Sequence, residues 1–312
     1  MQLSEKAAHW LQTLDFGYIL PLMARLPLPM GQALSTARGL LNVTMDYEWR
    51  SLAIRFNYIR ERTYRAMCMM RPDAGERFWR KTTIQRFIHN SRDEWQAYLY
   101  DLPVMERICR QSVVEGIDDL LKYQSKGRGL VMVSCHFDGF MGMALLGMKG
   151  LCVNALTTAA GNEDPRIHPA VRTYLKNKYR KLEYRMNGKI VYQEENMPFF
   201  YKALERGETV VLFGDVPGSK SNVFIPFLNA RFKMPLGAWH LAVKTHSLIS
   251  ACVCVHEGVG RYRVICLPPA EIDPGSPLLA LQPIYTFLEN NIRNMPERWI
   301  AADLLPAYSE MS

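Results

Sequence analysis

A histidine and two aspartates next to apolar segments are the residues of this chain best suited to acid–base chemistry. His136 follows the apolar run Leu130–Ser134, Asp138 comes two residues later, and Asp215 follows a second apolar run, Thr209–Phe213. Imidazole titrates near neutrality, so a histidine can accept a proton as a general base. Open α/β sheets place their chemistry in loops at the carboxyl ends of strands. We therefore predict a catalytic site with His136 as the base and Asp138 or Asp215 as the carboxylate that orients it.

The segments around these residues predict an α/β fold. The two apolar runs are typical of strands buried on both faces, and the apolar stretch Phe140–Met148 is typical of a helix. Leu151–Thr157 predicts the next parallel strand, which completes a strand–helix–strand unit. We predict a mixed, largely parallel central sheet flanked by helices, within an α/β core of residues 101–312. Residues 1–100 are predicted as an arginine-rich helical segment packed on that core.

Other segments have less distinct patterns. Met45–Met70 is interpreted as one long helix and Glu76–Ala97 as the next helix. The stretch Val104–Val113 is interpreted as strand-like around a charged centre. Pro235–Leu248 is predicted as a helix that is apolar on one side, and Leu278–Arg293 as the final helix.

A glycine- and serine-rich loop follows the second apolar run. Gly218, Ser219 and Ser221 supply N–H and hydroxyl donors, and Lys220 adds a positive charge. Such a loop can hold a phosphate or a developing oxyanion, so these residues are predicted to bind substrate. The alternative is an ordinary polar turn between two strands.

The amino-acid composition limits the kinds of molecule that this protein is expected to bind. The chain has 312 residues, a formal charge of +8 and a pI of about 9.1, which suits an anionic partner. The sequence contains no recognisable nucleic-acid-binding motif, so we expect no nucleic acid. Many arginines lie between residues 50 and 86. They form either a helix face exposed to solvent or a basic collar, that is, a positively charged surface that contacts anionic head groups or an acidic carrier protein.

The cysteines and the N-terminal region indicate where the protein acts. Seven cysteines without Cys-x-x-Cys spacing suggest reduced thiols and no metal site. No signal peptide or membrane span is predicted, although Phe16–Met30 has the composition of an interfacial element. We expect a cytoplasmic protein, peripheral to the inner face of the cytoplasmic membrane.

Two blocks of sequence stand out as motifs. The first is Ser-Cys-His-Phe-Asp-Gly-Phe-Met at 134–141, and the second runs from Asp215 through Gly218 and Lys220 to Phe-Ile-Pro-Phe at 224–227. Both blocks resemble the bacterial lipid A late acyltransferases. Pro-Glu-Arg-Trp at 296–299 is similar to a third motif of that family. The resemblance extends over roughly residues 15–300.

The resemblance implies an acyltransferase with a histidine base. The donor would be an acyl thioester on acyl carrier protein or coenzyme A, the acceptor a hydroxyl or an amine, and no cofactor would stay bound. Acyl carrier protein is therefore an expected partner, together with an anionic membrane surface. Phe140 and Met141 are predicted to line an acyl-chain pocket; core packing is the alternative for the methionines.

Three departures from the family pattern bear on the acceptor. The family carries a carboxylate five residues after the histidine, where this chain has Met141. The family's arginine after position 195 is absent, and 300–303 replaces an aromatic residue and an arginine pair. We therefore expect an acceptor other than the usual phosphorylated glycolipid, such as a natural-product or carrier-bound intermediate.

Two other functions remain open from the sequence. Cys135 lies beside His136 and could act as a thiol nucleophile, although adjacent strand residues point to opposite faces. A catalytically degenerate relative would bind lipid or carrier protein without turnover, since an unoriented histidine is a poor base.

Overall fold

The computed structural model describes residues 5–53, 58–138, 140–157, 164–215 and 221–309. Its α-helices are α1 (Glu5–Leu14), α2 (Leu20–Arg25), α3 (Leu28–Met45), α4 (Trp49–Ala53), α5 (Ile59–Met70), α6 (Glu76–Gln96), α7 (Val104–Gln111), α8 (Ile117–Ser125), α9 (Met141–Met148), α10 (Pro169–Met186), α11 (Met197–Glu205), α12 (Gly237–Thr245), α13 (Pro277–Asn294) and α14 (Leu305–Ser309). A π-helical turn, Asp15–Ile19, joins α1 to α2. Short 3₁₀ turns cover Pro296–Arg298 and Ala302–Leu304.

The strands form one large sheet and one hairpin. They are β1 (Val113–Val114), β2 (Leu130–Ser134), β3 (Val153–Thr157), β4 (Ile190–Tyr192), β5 (Thr209–Phe213), β6 (Asn222–Phe227), β7 (Ala230–Pro235), β8 (Leu248–Gly258) and β9 (Arg261–Cys266). The large sheet has the order β1-β9-β8-β2-β5-β3-β4, and β6 pairs with β7. Among the strands of the described residues, only β8 and β9 pair antiparallel within the large sheet. The predicted mixed, largely parallel sheet is confirmed.

Helices cover both faces of the sheet because the central strands are apolar on both sides. Along β2, Leu130 and Met132 pack into a core shared with helices α2, α9 and α10, whereas Val131 and Val133 pack into a core shared with α11 and α13. Alternate strand residues point to opposite faces, so a continuous apolar run suits such a doubly covered strand. The first core also contains Phe16 of the N-terminal helical region.

Three segments differ from the sequence prediction. Val104–Gln111 is a helix rather than strand-like, because Met105, Ile108 and Cys109 recur with helical spacing on its buried side. The predicted helix Met45–Met70 is wrong because α3 ends at Met45, followed by Asp46 in the left-handed region (φ +51°). Pro235 belongs to β7, so the predicted helix Pro235–Leu248 is shorter and starts at Gly237.

Several arginines of the basic N-terminal region form ion pairs within the protein. Arg86 is fully buried against Glu48 and Asp303, and Arg50 binds the same two carboxylates. Arg86 therefore fixes α6, and Arg50 fixes α4, to the C-terminal region, so these two arginines belong neither to a solvated face nor to a collar. In the part of the chain that the structure describes, no helix is long and apolar enough to cross a membrane.

Candidate active site

The register of the two central strands places His136 beside Asp215. Strands β2 and β5 run parallel, with Ser134 opposite Phe213. His136 and Asp215 each follow two residues after these paired ends, so both leave the sheet at the same level and at the same edge. Residues 79 positions apart in sequence thus become neighbours.

His136 and Asp215 form a hydrogen-bonded pair. The imidazole Nδ1 lies 2.9 Å from Oδ1 of Asp215 and 3.1 Å from Oδ2, and the backbone N–H of His136 donates to Oδ2 at 2.8 Å. The Asp215 side chain is fully buried, whereas the His136 side chain is 25% exposed. The carboxylate therefore holds one edge of the ring, while part of the ring stays accessible.

The protonation state of this pair follows from its partners. Burial on its own would raise the pKa of Asp215, but the charge and hydrogen bonds of His136, with the Trp299 N–H, lower it below its usual value. An ionised carboxylate only accepts hydrogen bonds, so Nδ1 of His136 carries the proton. Its Nε2 is then unprotonated in the neutral ring, which is the tautomer that a general base requires.

A C-terminal segment supplies a further hydrogen-bond donor to Asp215. The indole Nε1 of Trp299 donates to Oδ2 of Asp215 at 2.7 Å. Phe137 and Trp299 form an isolated antiparallel bridge, and the N–H of Ile300 donates to the carbonyl of His136 at 2.8 Å. The sequence analysis assigned no role to Trp299, although the family-like motif Pro-Glu-Arg-Trp at 296–299 pointed to this residue.

Asp138 lies near His136 in sequence but has different partners. It adopts the left-handed region (φ +49°), and its carboxylate bonds to His89, to Arg298 and to the backbone N–H of His256, the last at 2.8 Å. Burial opposes its ionisation, but His89 and the guanidinium of Arg298 hold the pKa of Asp138 well below its usual range. The geometry therefore does not give Asp138 the orienting role; it ties the His136 loop to α6 and to the C-terminal segment.

Aromatic rings set the plane of the imidazole. The ring of Phe213 lies 4.5 Å from that of His136, centroid to centroid, and the Phe140 ring packs edge-on at 5.9 Å. Beneath them, Lys178 lies 4.0 Å from the Phe140 ring centre and pairs with Asp93 at 2.7 Å. Asp93 also accepts the backbone N–H of Phe140, so the start of α9 is fixed by a buried ion pair.

His136 lines a cavity of about 940 Å³ whose wall is mainly apolar. That volume lies near the upper end of the range for small-molecule sites, about 300–1,000 Å³. Phe140 and Met143 contribute to the wall, whereas Met141 does not, since it is fully buried in the core at the start of α9. The predicted role of Met141 in substrate binding is therefore not supported, and core packing accounts for it. The other lining residues are Val133, Ala155, Leu156, Thr157, Tyr179, Ile190, Gln193, Glu194, Met197, Leu212, Phe213, Gly214, Ser221, Pro235, Gly237, Ala238, His240, Leu241 and Tyr285.

The glycine- and serine-rich loop is only partly described. Gly218, Ser219 and Lys220 lie outside the described residues. Ser221 lines the cavity, with its Oγ 3.3 Å from Nε2 of His240. A role for this loop in holding an oxyanion or phosphate stays a prediction.

Cys135 is poorly placed for nucleophilic chemistry. Its side chain is buried in the core and does not line the cavity, and burial raises the pKa of the Cys135 thiol well above its usual value. The thiolate is the nucleophilic form, so this environment disfavours it.

The fold and this site define an α/β protein with a histidine–aspartate pair at an apolar cavity. The profile of the family described as bacterial lipid A biosynthesis acyltransferase matches residues 83–301. The chain therefore belongs to the bacterial lipid A biosynthesis acyltransferase family. It is 25% identical to the lipid A biosynthesis lauroyltransferase of Escherichia coli (strain K12) over 266 residues, which cover 84% of this chain and 79% of that protein. It is also similar to the crystal structure of PlsC, the 1-acyl-sn-glycerophosphate acyltransferase of Thermotoga maritima, with 14% identity and a TM-score of 0.32 over 77% of this chain and 97% of that one.

Proposed function

We propose that this protein transfers an acyl group from a thioester to a hydroxyl or amine acceptor, with His136 as the general base. The observation that carries the proposal is the bond between Nδ1 of His136 and buried Asp215 in a ring that lines an apolar cavity. This arrangement leaves Nε2 as the basic atom. A positioned base of this kind contributes about 10²–10⁴-fold to the rate.

The reaction needs no covalent enzyme intermediate. Nε2 of His136 removes the proton from the acceptor as its oxygen or nitrogen attacks the thioester carbonyl. The tetrahedral intermediate then collapses, the carbon–sulfur bond breaks, and the thiolate takes the proton from the imidazolium. Asp215 stabilises the transient positive charge, because its ionised carboxylate contacts the ring directly. The products are an acylated acceptor and a free thiol.

The cavity suits an acyl chain as the transferred group. Its wall beside His136 includes Phe140, Met143 and Phe213, and methionine adapts its shape to flexible apolar ligands. The donor in this proposal is an acyl thioester of acyl carrier protein or coenzyme A. No group needs to stay bound between turnovers.

The acceptor in this proposal is not a phosphorylated glycolipid. This chain lacks the arginine that the resembling family carries after position 195, and a carboxylate residue, Glu194, lines the cavity. The residues after Trp299 also lack the family's arginine pair. A neutral or cationic acceptor, such as an amine, fits this wall better.

The test is turnover of acyl thioesters by wild type and two histidine variants. Free thiol is measured as acyl carrier protein or coenzyme A thioesters of graded chain length react with amine and hydroxyl acceptors, and the acylated product is identified by mass. We expect His136→Gln to lose about 10²–10⁴-fold in kcat. His246→Asn is the matched control, because His246 is exposed and its left-handed backbone (φ +51°) tolerates asparagine.

Two results would contradict the proposal. Equal kcat for His136→Gln and wild type would show that His136 is not the general base. Thioester binding without any thiol release, across the donor and acceptor panel, would instead indicate a lipid- or carrier-binding relative without turnover.

A further inference from the structure

Helix α10 carries six cationic side chains and one acidic side chain, that of Glu183. Three of the cations form ion pairs that fix the helix to neighbouring segments. These pairs are Lys178 with Asp93 at 2.7 Å, Lys181 with Asp101 at 2.8 Å and Arg185 with Glu106 at 2.6 Å. The other three cations are Arg172, Lys176 and Arg180.

These other three cations form a row along one side of the helix, which we call the cationic row. Arg172, Lys176 and Arg180 are spaced by four positions, and residues with that spacing lie one above the other on a helix. Lys176 and Arg180 are exposed, and Arg172 is half-buried. Over the described ranges of the chain, none of these three side chains forms a hydrogen bond or an ion pair.

The acidic residues that flank the cationic row in the described chain have other partners. Glu183 accepts the backbone N–H of Ile190 at 2.8 Å, and its carboxylate lies 4.0 Å from Nζ of Lys189. Asp164, which precedes the helix, pairs with Arg166 at 2.5 Å. These carboxylates therefore do not neutralise the row.

The cationic row lies beside the cavity that contains His136. Tyr179 lines this cavity and follows Lys176 by three positions, so both side chains share one side of α10. Gln193 and Glu194 also line the cavity and are exposed. The cavity therefore opens to solvent beyond the carboxyl end of β4, next to the side of α10 that carries the row.

The direction of α10 places the start of the row at the edge of the sheet where His136 lies. The end of the helix lies beside the start of β3, because a Cβ on Gly188 would be 2.1 Å from the carbonyl oxygen of Val153. A helix that leads into a parallel strand runs back along the sheet, so its first turns lie at the carboxyl edge. Arg172 belongs to those first turns.

The length of the row indicates the kind of partner. Arg172 and Arg180 are separated by a rise of about 12 Å, at about 1.5 Å per residue. One phosphate group is too small to contact all three cations. Carboxylates repeated every four residues on another helix, by contrast, have the same spacing as the row.

The residues around the row favour a protein partner over a lipid surface. Thr173 and Asn177, which lie beside the row, are exposed and polar, whereas a helix that lies on lipid needs large apolar side chains there. Tyr184 continues the spacing of the row and is 73% exposed. Tyrosine and arginine are both enriched in protein–protein interfaces.

We propose that the cationic row is the docking surface for an acidic helix of the acyl carrier protein that delivers the thioester. This inference rests on the proposed function, which requires a thioester donor. The carrier docks beside the cavity, and the flexible arm that ends in the thioester enters past Tyr179 and Gln193 to reach Nε2 of His136. Lys176 and Arg180 contact carboxylates of the carrier, so the contact is electrostatic and weakens with salt.

The test compares two variants that change the net charge by the same amount, Lys176→Glu/Arg180→Glu and Lys122→Glu/Lys126→Glu. Each reverses two exposed cations four positions apart. Lys122 and Lys126 lie in the last turn of α8 and just after it, where the chain leads into the amino end of β2, the end opposite to His136. All four residues are exposed, so the unfolding temperature of both variants should stay at the wild-type value.

The first readout is binding of fluorescently labelled holo acyl carrier protein without an acyl group, measured by anisotropy. The Kd of Lys176→Glu/Arg180→Glu should rise about 30-fold, because two attractive contacts become repulsive. The control variant should bind within about threefold of wild type, since it shares only the change in net charge. In roughly 0.5 M NaCl the two variants should differ by less than about threefold, because salt screens exposed charges.

The second readout is KM for three acyl thioesters, which shows which part of the donor contacts the row. The thioesters are those of acyl carrier protein, of coenzyme A and of N-acetylcysteamine, and the last contains neither protein nor phosphate. In Lys176→Glu/Arg180→Glu the KM for the carrier thioester should rise about 30-fold relative to that for the N-acetylcysteamine thioester. The KM for the coenzyme A thioester should rise by less than about threefold on the same scale.

Three results would overturn the proposal. One is that wild type does not bind holo acyl carrier protein, and another is that the two variants bind it equally well. The third is that KM rises as much for the coenzyme A thioester as for the carrier thioester, since the row would then contact phosphate groups of the donor. If no thioester is turned over but the carrier still binds through the row, the docking surface stands and the acyl-transfer function alone fails.

Discussion

The substitution Asp215→Asn tests the orientation of the imidazole without changing the shape of the side chain. Oδ2 of Asp215 accepts two N–H groups, from the His136 backbone at 2.8 Å and from Trp299 at 2.7 Å. The single carbonyl oxygen of asparagine is most favourable at that position, because two donors converge there. Its NH₂ group then faces Nδ1 of His136, which becomes an acceptor, and the ring proton moves to Nε2. The imidazole keeps its position but loses the free electron pair that faces the cavity.

The size of the effect follows from the role of that electron pair. A positioned base contributes about 10²–10⁴-fold, so kcat should fall by about that factor. This corresponds to about 2.7–5.4 kcal/mol in the activation barrier, at about 1.36 kcal/mol for each factor of ten. The value of KM should change little, because the cavity wall that would hold the acyl chain is unaltered.

The matched control is Asp138→Asn. Asp138 is also a buried aspartate near His136, but its carboxylate bonds to His89, Arg298 and the His256 backbone. This variant should lose about 3–5 kcal/mol in the free energy of unfolding, because it removes the buried negative charge that pairs with His89 and with the partly buried guanidinium of Arg298. The kcat of its folded fraction should stay near the wild-type value.

The assay is thioester turnover for both variants, normalised to the folded fraction measured by circular dichroism. The reasoning would be refuted if Asp215→Asn kept more than about a tenth of wild-type kcat, since a lost base costs at least about 100-fold. It would also fail if Asp138→Asn lost as much kcat as Asp215→Asn.

Three further outcomes are expected. Cys135→Ala should retain kcat in the thiol-release assay, because the buried thiol of Cys135 with its raised pKa takes no part in the reaction. A loss of kcat in a folded variant would instead support Cys135 as a nucleophile. Trp299→Phe should lower the free energy of unfolding by about 1–3 kcal/mol, because Asp215 loses its bond from the indole N–H, and chemical denaturation measures this loss. The same variant should lower kcat less than Asp215→Asn does, because Asp215 keeps its bonds to the backbone N–H and to Nδ1 of His136. Burial and the nearby Arg92 lower the pKa of His256 to about 3, so the unfolded chain binds more protons between about pH 3 and the ordinary histidine pKa near 6.5. The stability supplied by His256 is therefore complete above about pH 6.5 and is lost as pH falls, and His256→Gln should show a smaller drop in unfolding temperature between pH 7 and pH 5.

The apolar sequence of the central strands was sufficient to predict the sheet. Leu130–Ser134 and Thr209–Phe213 form the predicted strands with the predicted bounds, and both are buried in the middle of the sheet. A strand covered on both faces requires a continuous apolar run, and that requirement is local. Val104–Gln111 was misassigned because a short amphipathic segment satisfies helical and strand spacing almost equally well.

The strand order could not be read from the sequence. β3 follows β2 along the chain, but β5 lies between them in the sheet. That insertion brings Asp215 level with His136. Sequence distance favours Asp138, two residues away, as the partner, whereas hydrogen bonding depends on where strands that are distant in sequence end. The tertiary structure alone therefore separates the two candidate carboxylates.

What the sequence determined by itself is the chemistry available: a histidine, nearby carboxylates and apolar strands that must be covered. Residue types and local periodicity carry that information directly. The partner of His136, the bond from Trp299 and the position of the cationic row beside the cavity depend on contacts between elements far apart in the chain. Those contacts arise only when the elements pack, because burial and hydrogen bonding are properties of the assembled core and not of any single segment.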